Sequence, residues 1–341
     1  MKHMTPGYIL PSAVFTPSKK HLIGYDAIDK QPEVGDVLYG KVVRRGQHTE
    51  LENKSGRIHQ INDGSRSLFV FGNRYAPDAF EAEIPEQWES QLDLVARSGL
   101  VAKLKSKNAQ MKDPTLIKPL GYVVDAEGKV VNTKNYSLIT PKTSEKKDSR
   151  AKLILVVGTS MNSGKSLTAA SIIWSLASAG HEVRGSKITG TSSLKDILRM
   201  EDAGASHVSD FSYLGYPSTY LLPEVDILHI FNSLDLKYAN NSKNYWVVEI
   251  ADGILQRETA MLLMSEEVRS RIHKLVFAAR DSLGAIGGLK TLESKFSLIP
   301  DAVSGYCSSS PLSMMELREY SDLPIIDNFN WQMQPTLEIV L

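Results

Sequence analysis

Hydrophobic and polar positions alternate in two different rhythms along this chain. Up to about position 140 the apolar runs are short and punctuated by turn residues. "GDVLYGKVVRR" (35–45) and "RSLFVFGNRY" (66–75) carry β-branched and aromatic residues, and "LIKPLGYVVDAEGKVVN" (116–132) has the form of a hairpin turning on Ala126, Glu127 and Gly128. One helical pattern, "PEQWESQLDLVARSG" (85–99), is expected to interrupt these strands. The pattern predicts a mostly β domain over 1–140, built as one or two small barrels. The polar stretch "PKTSEKKDSR" over 141–150 has no large apolar residue and is expected to be a linker.

From 151 to 341 the rhythm becomes strand–helix–strand. "KLILVVG" (152–158) is a continuous apolar run, the pattern of a strand buried on both faces of a parallel sheet. "GKSLTAASIIWSLASAG" (164–180) predicts a helix stopped at Gly180. Strands at "EVRGSKI", "YWVVEIA", "KLVFAAR" and "DAVSGYC" follow, with helices at "SLKDILRMEDAGA", "LGAIGGLKTLESK" and "SMMELREY" and a last strand at "LPIID". Such alternation predicts an α/β fold, a doubly wound, mostly parallel sheet, behind the small-barrel β domain.

In a sheet of this kind ligands bind at the carboxyl ends of the strands. The loop that leaves the first strand is Gly158, Thr159, Ser160, Met161, Asn162, Ser163, Gly164, Lys165 and Ser166. It feeds a helix N-terminus, where backbone N–H groups lack intrahelical partners and the helix dipole favours an anion. Gly164 permits close approach of a phosphate, Lys165 brings a cation to the outer phosphates, and the Ser166 hydroxyl suits Mg²⁺. The first glycine stands one position earlier than in G-x-x-x-x-G-K-[ST]: Thr159 occupies its usual place.

Further candidates lie at other strand ends. Lys187 can point over the same crevice, or be an ordinary exposed strand-end lysine. Glu249 ends a buried strand, the position from which many nucleotide enzymes hold Mg²⁺. Asp252 can do the same or shape a turn. Asp202, in "RMEDAGA", can supply another oxygen ligand or lie on an outward helix face. "SDFSYLGYPSTYLLP" (209–223) is either a substrate-covering loop or an aromatic turn that completes a core.

Gly158-Thr159-Ser160 with Gly164-Lys165-Ser166 resembles the G-T-[DS]-x-x-x-G-K-[ST] loop of dethiobiotin synthetase and its relatives, in which the early glycine is the normal spacing. "SKITGT", "MEDA", "VVEIADG" and "FAARDSLGAIGGLKTLE" are similar, in order, to further segments of that family over about 152–327. The resemblance implies ATP or another nucleoside triphosphate on Lys165 and the loop amides. It implies Mg²⁺ among Ser166, Asp202 and Glu249, Lys187 as a catalytic group facing the substrate beside Lys165, and a homodimer. The chain departs from the family at Ile250 and Asp252, where glycines are usual, and at Ile188, where proline is. No asparagine stands in "SGYCSSSP", where the family reads adenine.

Composition narrows the classes. With 42% hydrophobic and 23% charged residues the chain is an ordinary globular protein. Its single cysteine, Cys307, excludes an intramolecular disulfide and suits a reducing compartment. The histidines show no metal-ligand spacing. The absence of a signal-like start and of a long apolar run predicts a cytoplasmic protein with no membrane span. Net charge is zero, but residues 1–150 hold 23 Lys and Arg against 18 Asp and Glu, and the remainder carries the opposite balance. That asymmetry suits a protein or nucleic-acid partner for the first domain, or plain scatter between two solvated surfaces. Two functions follow from the sequence: an ATP- and Mg²⁺-dependent enzyme that activates a small molecule by phosphoryl transfer, or a nucleotide-dependent switch whose β domain binds a partner.

Overall fold

A computed structural model describes residues 1–141 and 145–341. The expected linker at 141–150 therefore lies partly outside the described residues. The chain forms two compact units: 1–139 with 191–195 and 211–221, and 140–190 with 196–210 and 222–341.

In the first unit, short alternating strands close on themselves. Val37–Arg44 pairs with Arg66–Phe71, which pairs in parallel with Leu100–Lys107. Leu100–Lys107 pairs with Leu92–Ala96, that strand with Thr115–Val124, and Thr115–Val124 returns to Val37–Arg44. The result is a closed ring of five strands, which leaves no edge among them. Leu38, Phe69, Phe71, Leu94, Val101, Ile117 and Tyr122 fill its core.

The helix expected at 85–99 does not form. In "LDLVA" the alternation of Leu92 and Leu94 with Asp93 matches a strand, and strand neighbours on both sides pair with it. The hairpin at 126–128 forms as expected, with Gly128 N–H donating to Asp125 O and Val131 N–H to Val123 O.

The tyrosine-rich segment 211–221 belongs to this unit. The Tyr213 ring meets Phe15 edge-on with centroids 5.0 Å apart, and Tyr220 lies 5.4 Å from Tyr75. Gly215 accepts the Thr133 hydroxyl at 2.6 Å through its carbonyl. Of the two roles open to this segment, these contacts are those of an aromatic turn completing a core.

The second unit is a six-stranded parallel sheet. Its elements are β1 (Lys152–Gly158), α1 (Lys165–Ser178), β2 (Val183–Lys187), α2 (Leu194–Asp202, whose first two residues belong to the other unit), β3 (His207–Asp210), α3 (Glu224–Tyr238), β4 (Tyr245–Glu249), α4 (Arg257–Met264), α5 (Glu266–Arg269), β5 (Ile272–Ala279), α6 (Ser282–Phe296), β6 (Ala302–Gly305), α7 (Pro311–Arg318) and α8 (Met333–Val340). The strand order is β3-β2-β4-β1-β5-β6, every neighbour parallel. The segment "LPIID", expected as a strand, makes only a single bridge, Val303 to Ile325.

Residues 145–150 belong to this second unit rather than to a free linker. Arg150 reaches Asp235 at 2.7 Å, and Lys146 reaches Glu267 at 2.7 Å. Among the described residues no helix is long and apolar enough to cross a membrane.

Candidate functional site

The central strand β1 delivers the phosphate loop, and register brings the other candidates beside it. Glu249 is level with Val156 of β1 on one side and with Lys187 of β2 on the other. Lys187 and Glu249 are the last residues of their strands, so the parallel sheet itself sets them next to each other.

The early glycine has a steric reason. A Cβ on Gly158 would fall 2.4 Å from Ser163 Oγ and 2.6 Å from Ala278 O. The loop folds back so closely over the end of β1 that only a hydrogen fits there. Gly164 has φ of 101°, in the left-handed region, and hands the chain into α1. Lys165 is buried and folds over the loop, donating to Ser160 O at 2.7 Å. Burial pushes its ammonium below the usual lysine range, against the pull of Glu249.

Ser166 opens onto two carboxylates. Its Oγ lies 3.1 Å from Glu249 Oε1 and 3.2 Å from Asp196 Oδ1. Lys187 donates to Asp196 Oδ2 and stands 3.8 Å from Glu249 Oε1. Burial works against the charge of Lys187, but Asp196 and then Glu249 outweigh it and hold the ammonium above the ordinary lysine range. Burial likewise works against the charge of Asp196, and the Lys187 ammonium holds that carboxyl below its usual range. Glu249 is buried and pushed up by that burial. Two nearby groups, Glu249 Oε2 and Thr159 Oγ1, are buried with no hydrogen-bond partner among the described residues.

Of the three residues expected to surround Mg²⁺, Ser166 and Glu249 meet and Asp202 does not. Asp202 is the last residue of α2 and is exposed. In a parallel α/β sheet it is the first turn of each helix that faces the strand carboxyl ends, and six residues of helix span about 9 Å. Asp196 stands in that first turn and takes the place. Its signal was present in the sequence: an acidic residue opening the helix that follows Lys187.

The donor set fits Mg²⁺. It is made of hard oxygens only, and Glu249 Oε2 is a buried oxygen in want of a cation or proton. No group of three or more His, Cys, Asp or Glu arranged for a metal occurs among the described residues. A cation here would be held by Ser166, Asp196 and Glu249 and completed by phosphate oxygens and water.

No known protein-family model matches the chain, and no curated protein matches it. Among solved structures it is similar to the signal recognition particle receptor FtsY of Elizabethkingia anophelis in complex with GDP. That match has 13% identity over 63% of this chain and 74% of that one, with a TM-score of 0.38. FtsY of Mycoplasma mycoides is 13% identical over 53% of this chain and 61% of that one, at 0.35. A further structure of the E. anophelis receptor is 16% identical over 63% and 75%, at 0.34.

The parallel order β3-β2-β4-β1-β5-β6 with a Gly-Lys-Ser loop between β1 and α1 defines the fold. It is a P-loop nucleotide-binding fold.

Proposed function

We propose that this protein is a Mg²⁺-dependent nucleoside triphosphatase that works as a switch, its first unit binding a protein or nucleic-acid partner. One observation carries the reading. Lys187 and Asp196 are ion-paired beside the phosphate loop, yet the chain between them spends residues 191–195 in the first unit. A nucleotide that moves either partner of that pair would pull on a segment of the partner-binding unit.

Within the reading, the loop amides and Lys165 bind the outer phosphates, and Ser166, Asp196 and Glu249 hold Mg²⁺. The ion, when bound, neutralises charge developing on the transferred phosphoryl group. Lys187 leaves Asp196 to meet the terminal phosphate. The first unit's 20 Lys and Arg against 16 Asp and Glu favour an acidic partner.

Backbone hydrogen exchange of the full chain tests this. Protection over 191–195 and 211–221 is expected to change when a non-hydrolysable triphosphate and Mg²⁺ are added, and to stay constant in Lys165→Ala. Identical exchange with and without nucleotide argues against the switch.

Lys187 with its two carboxylates also favours a second reading, phosphoryl transfer to a small carboxylate or amine in the manner implied by the resemblance to dethiobiotin synthetase, with a homodimer as the working form. It requires hydrolysis to depend on a small co-substrate. Steady turnover without one excludes it.

A further inference from the structure

The loop after β6 and the loop before α8 are both tied to the phosphate loop. Tyr306 N–H donates to Ser163 O at 3.1 Å, and Gly164 packs so tightly on Gly305 that an added Cβ would come within 2.8 Å of its Cα. Asn328 is buried and fully engaged. Its Nδ2 lies 2.9 Å from Thr168 Oγ1 and 3.3 Å from Gly164 O, its Oδ1 accepts from Ser304 Oγ at 2.9 Å, and its N–H donates to Ser308 Oγ at 3.1 Å. Asp327 Oδ1 accepts from the N–H groups of Phe329 and Asn330 at 2.8 and 3.0 Å. The backbones of both loops are thereby anchored relative to the phosphate loop.

What these anchored backbones hold out is aromatic. Tyr306 is 42% exposed and Phe329 51% exposed, and their rings lie 5.6 Å apart at 48°. Two touching rings left in water, on segments bonded to an anion-binding loop, match a ligand that joins phosphates to a flat π-system.

We propose that Tyr306 and Phe329 form the platform on which the base of the bound nucleotide lies. The assignment rests on the triphosphate occupying the phosphate loop. Asn328, the buried asparagine that precedes Phe329, spends its side chain on Gly164, Thr168 and Ser304 and has none left for reading a base edge. Recognition is by stacking, and every base has a π-face, so the platform takes adenine and guanine alike.

Calorimetric titration of the full chain with ATP, GTP and inorganic tripolyphosphate, each with Mg²⁺, tests the assignment. ATP and GTP are expected to bind within about tenfold of each other, and each about tenfold or more tighter than tripolyphosphate. Phe329→Ala and Tyr306→Ala each weaken both nucleotides by about tenfold and leave tripolyphosphate unchanged, which also shows that the variants are folded. Phe329→Trp retains nucleotide affinity. Variants that bind nucleotide like the wild type overturn the platform alone. A wild type that binds tripolyphosphate as tightly as ATP does the same. A wild type that binds none of the three overturns the phosphate-loop reading together with the platform.

Discussion

Lys187, buried, and Asp196, half-buried, form an ion pair at the carboxyl end of the sheet, beside the phosphate loop. The ammonium of Lys187 reaches Asp196 Oδ2 and stands 3.8 Å from Glu249 Oε1, while the single hydroxyl of Ser166 touches the same two carboxylates. One hydroxyl proton can serve only one carboxylate at a time, so the Lys187 ammonium is the charge that both carboxylates share.

Replacing that lysine with an isostere lacking charge should therefore open these carboxylates to a cation even without nucleotide. Lys187→Met is expected to melt at a lower temperature, by an amount equivalent to about 3 kcal/mol, because buried Glu249 and half-buried Asp196 lose their counter-ion. Millimolar Mg²⁺ without nucleotide should restore much of that loss and raise the wild-type melting temperature little. Equal Mg²⁺ responses in the two proteins would sink the idea.

Asp196 and Asp202 separate the site from the helix surface. Asp196→Asn is expected to lower Mg²⁺-dependent nucleotide hydrolysis about 10–100-fold, the range seen when a metal-supporting carboxylate is lost. Asp202→Asn, on the exposed end of α2, should match the wild type. Initial rates of phosphate release across a Mg²⁺ titration decide between them.

Asp235 is fully buried between two arginines, with Arg150 Nη1 2.7 Å from Oδ2 and Arg271 Nε 3.2 Å from Oδ1. Asp235→Ala strands both cations and is expected to destabilise the second unit by about 3–5 kcal/mol. Glu267→Ala, which removes the exposed partner of Lys146, should cost about 1 kcal/mol or less. Urea unfolding of the two variants measures the contrast.

His48 makes the first unit sensitive to acid. Burial, with Arg74 adding to it, pushes its imidazole down to about 4, although the Val95 carbonyl at 3.2 Å pulls the other way. The unfolded chain takes up this proton near pH 6.5 and the folded one only near 4. The stabilisation is thus fully present above pH 6.5 and is lost as pH falls toward 4, by about 3 kcal/mol. Urea midpoints of the wild type and His48→Gln should converge across that interval; parallel curves would exclude His48 as the cause.

Much of the second unit was readable from local pattern alone. A buried apolar strand, the Gly-Lys-Ser turn and the following helix are consecutive in sequence, and so were legible there. The early glycine was visible in the sequence as a shift from the usual spacing, but its cause, contact with Ser163 and Ala278, belongs to the folded loop. In the first unit, local pattern misled over 85–99. There a helical spacing competed with the alternation at Leu92 and Leu94, and pairing with strands on both sides decided it.

Long-range pairing also decided the site. Ser166 meets Asp196 and Glu249 across 30 and 83 residues of chain, and periodicity along one helix could not choose between Asp196 and Asp202. The membership of 191–195 and 211–221 in the first unit came from contacts such as Leu194 N–H to Glu52 and Thr133 to Gly215, which join segments 142 and 82 residues apart. The sequence alone settled that a phosphate loop exists and which strand delivers it, because a strand, a turn and a helix N-terminus need only neighbouring residues. Which carboxylates face that loop, and which segments join the barrel, only the tertiary structure settled, because burial and register act between residues distant in the chain.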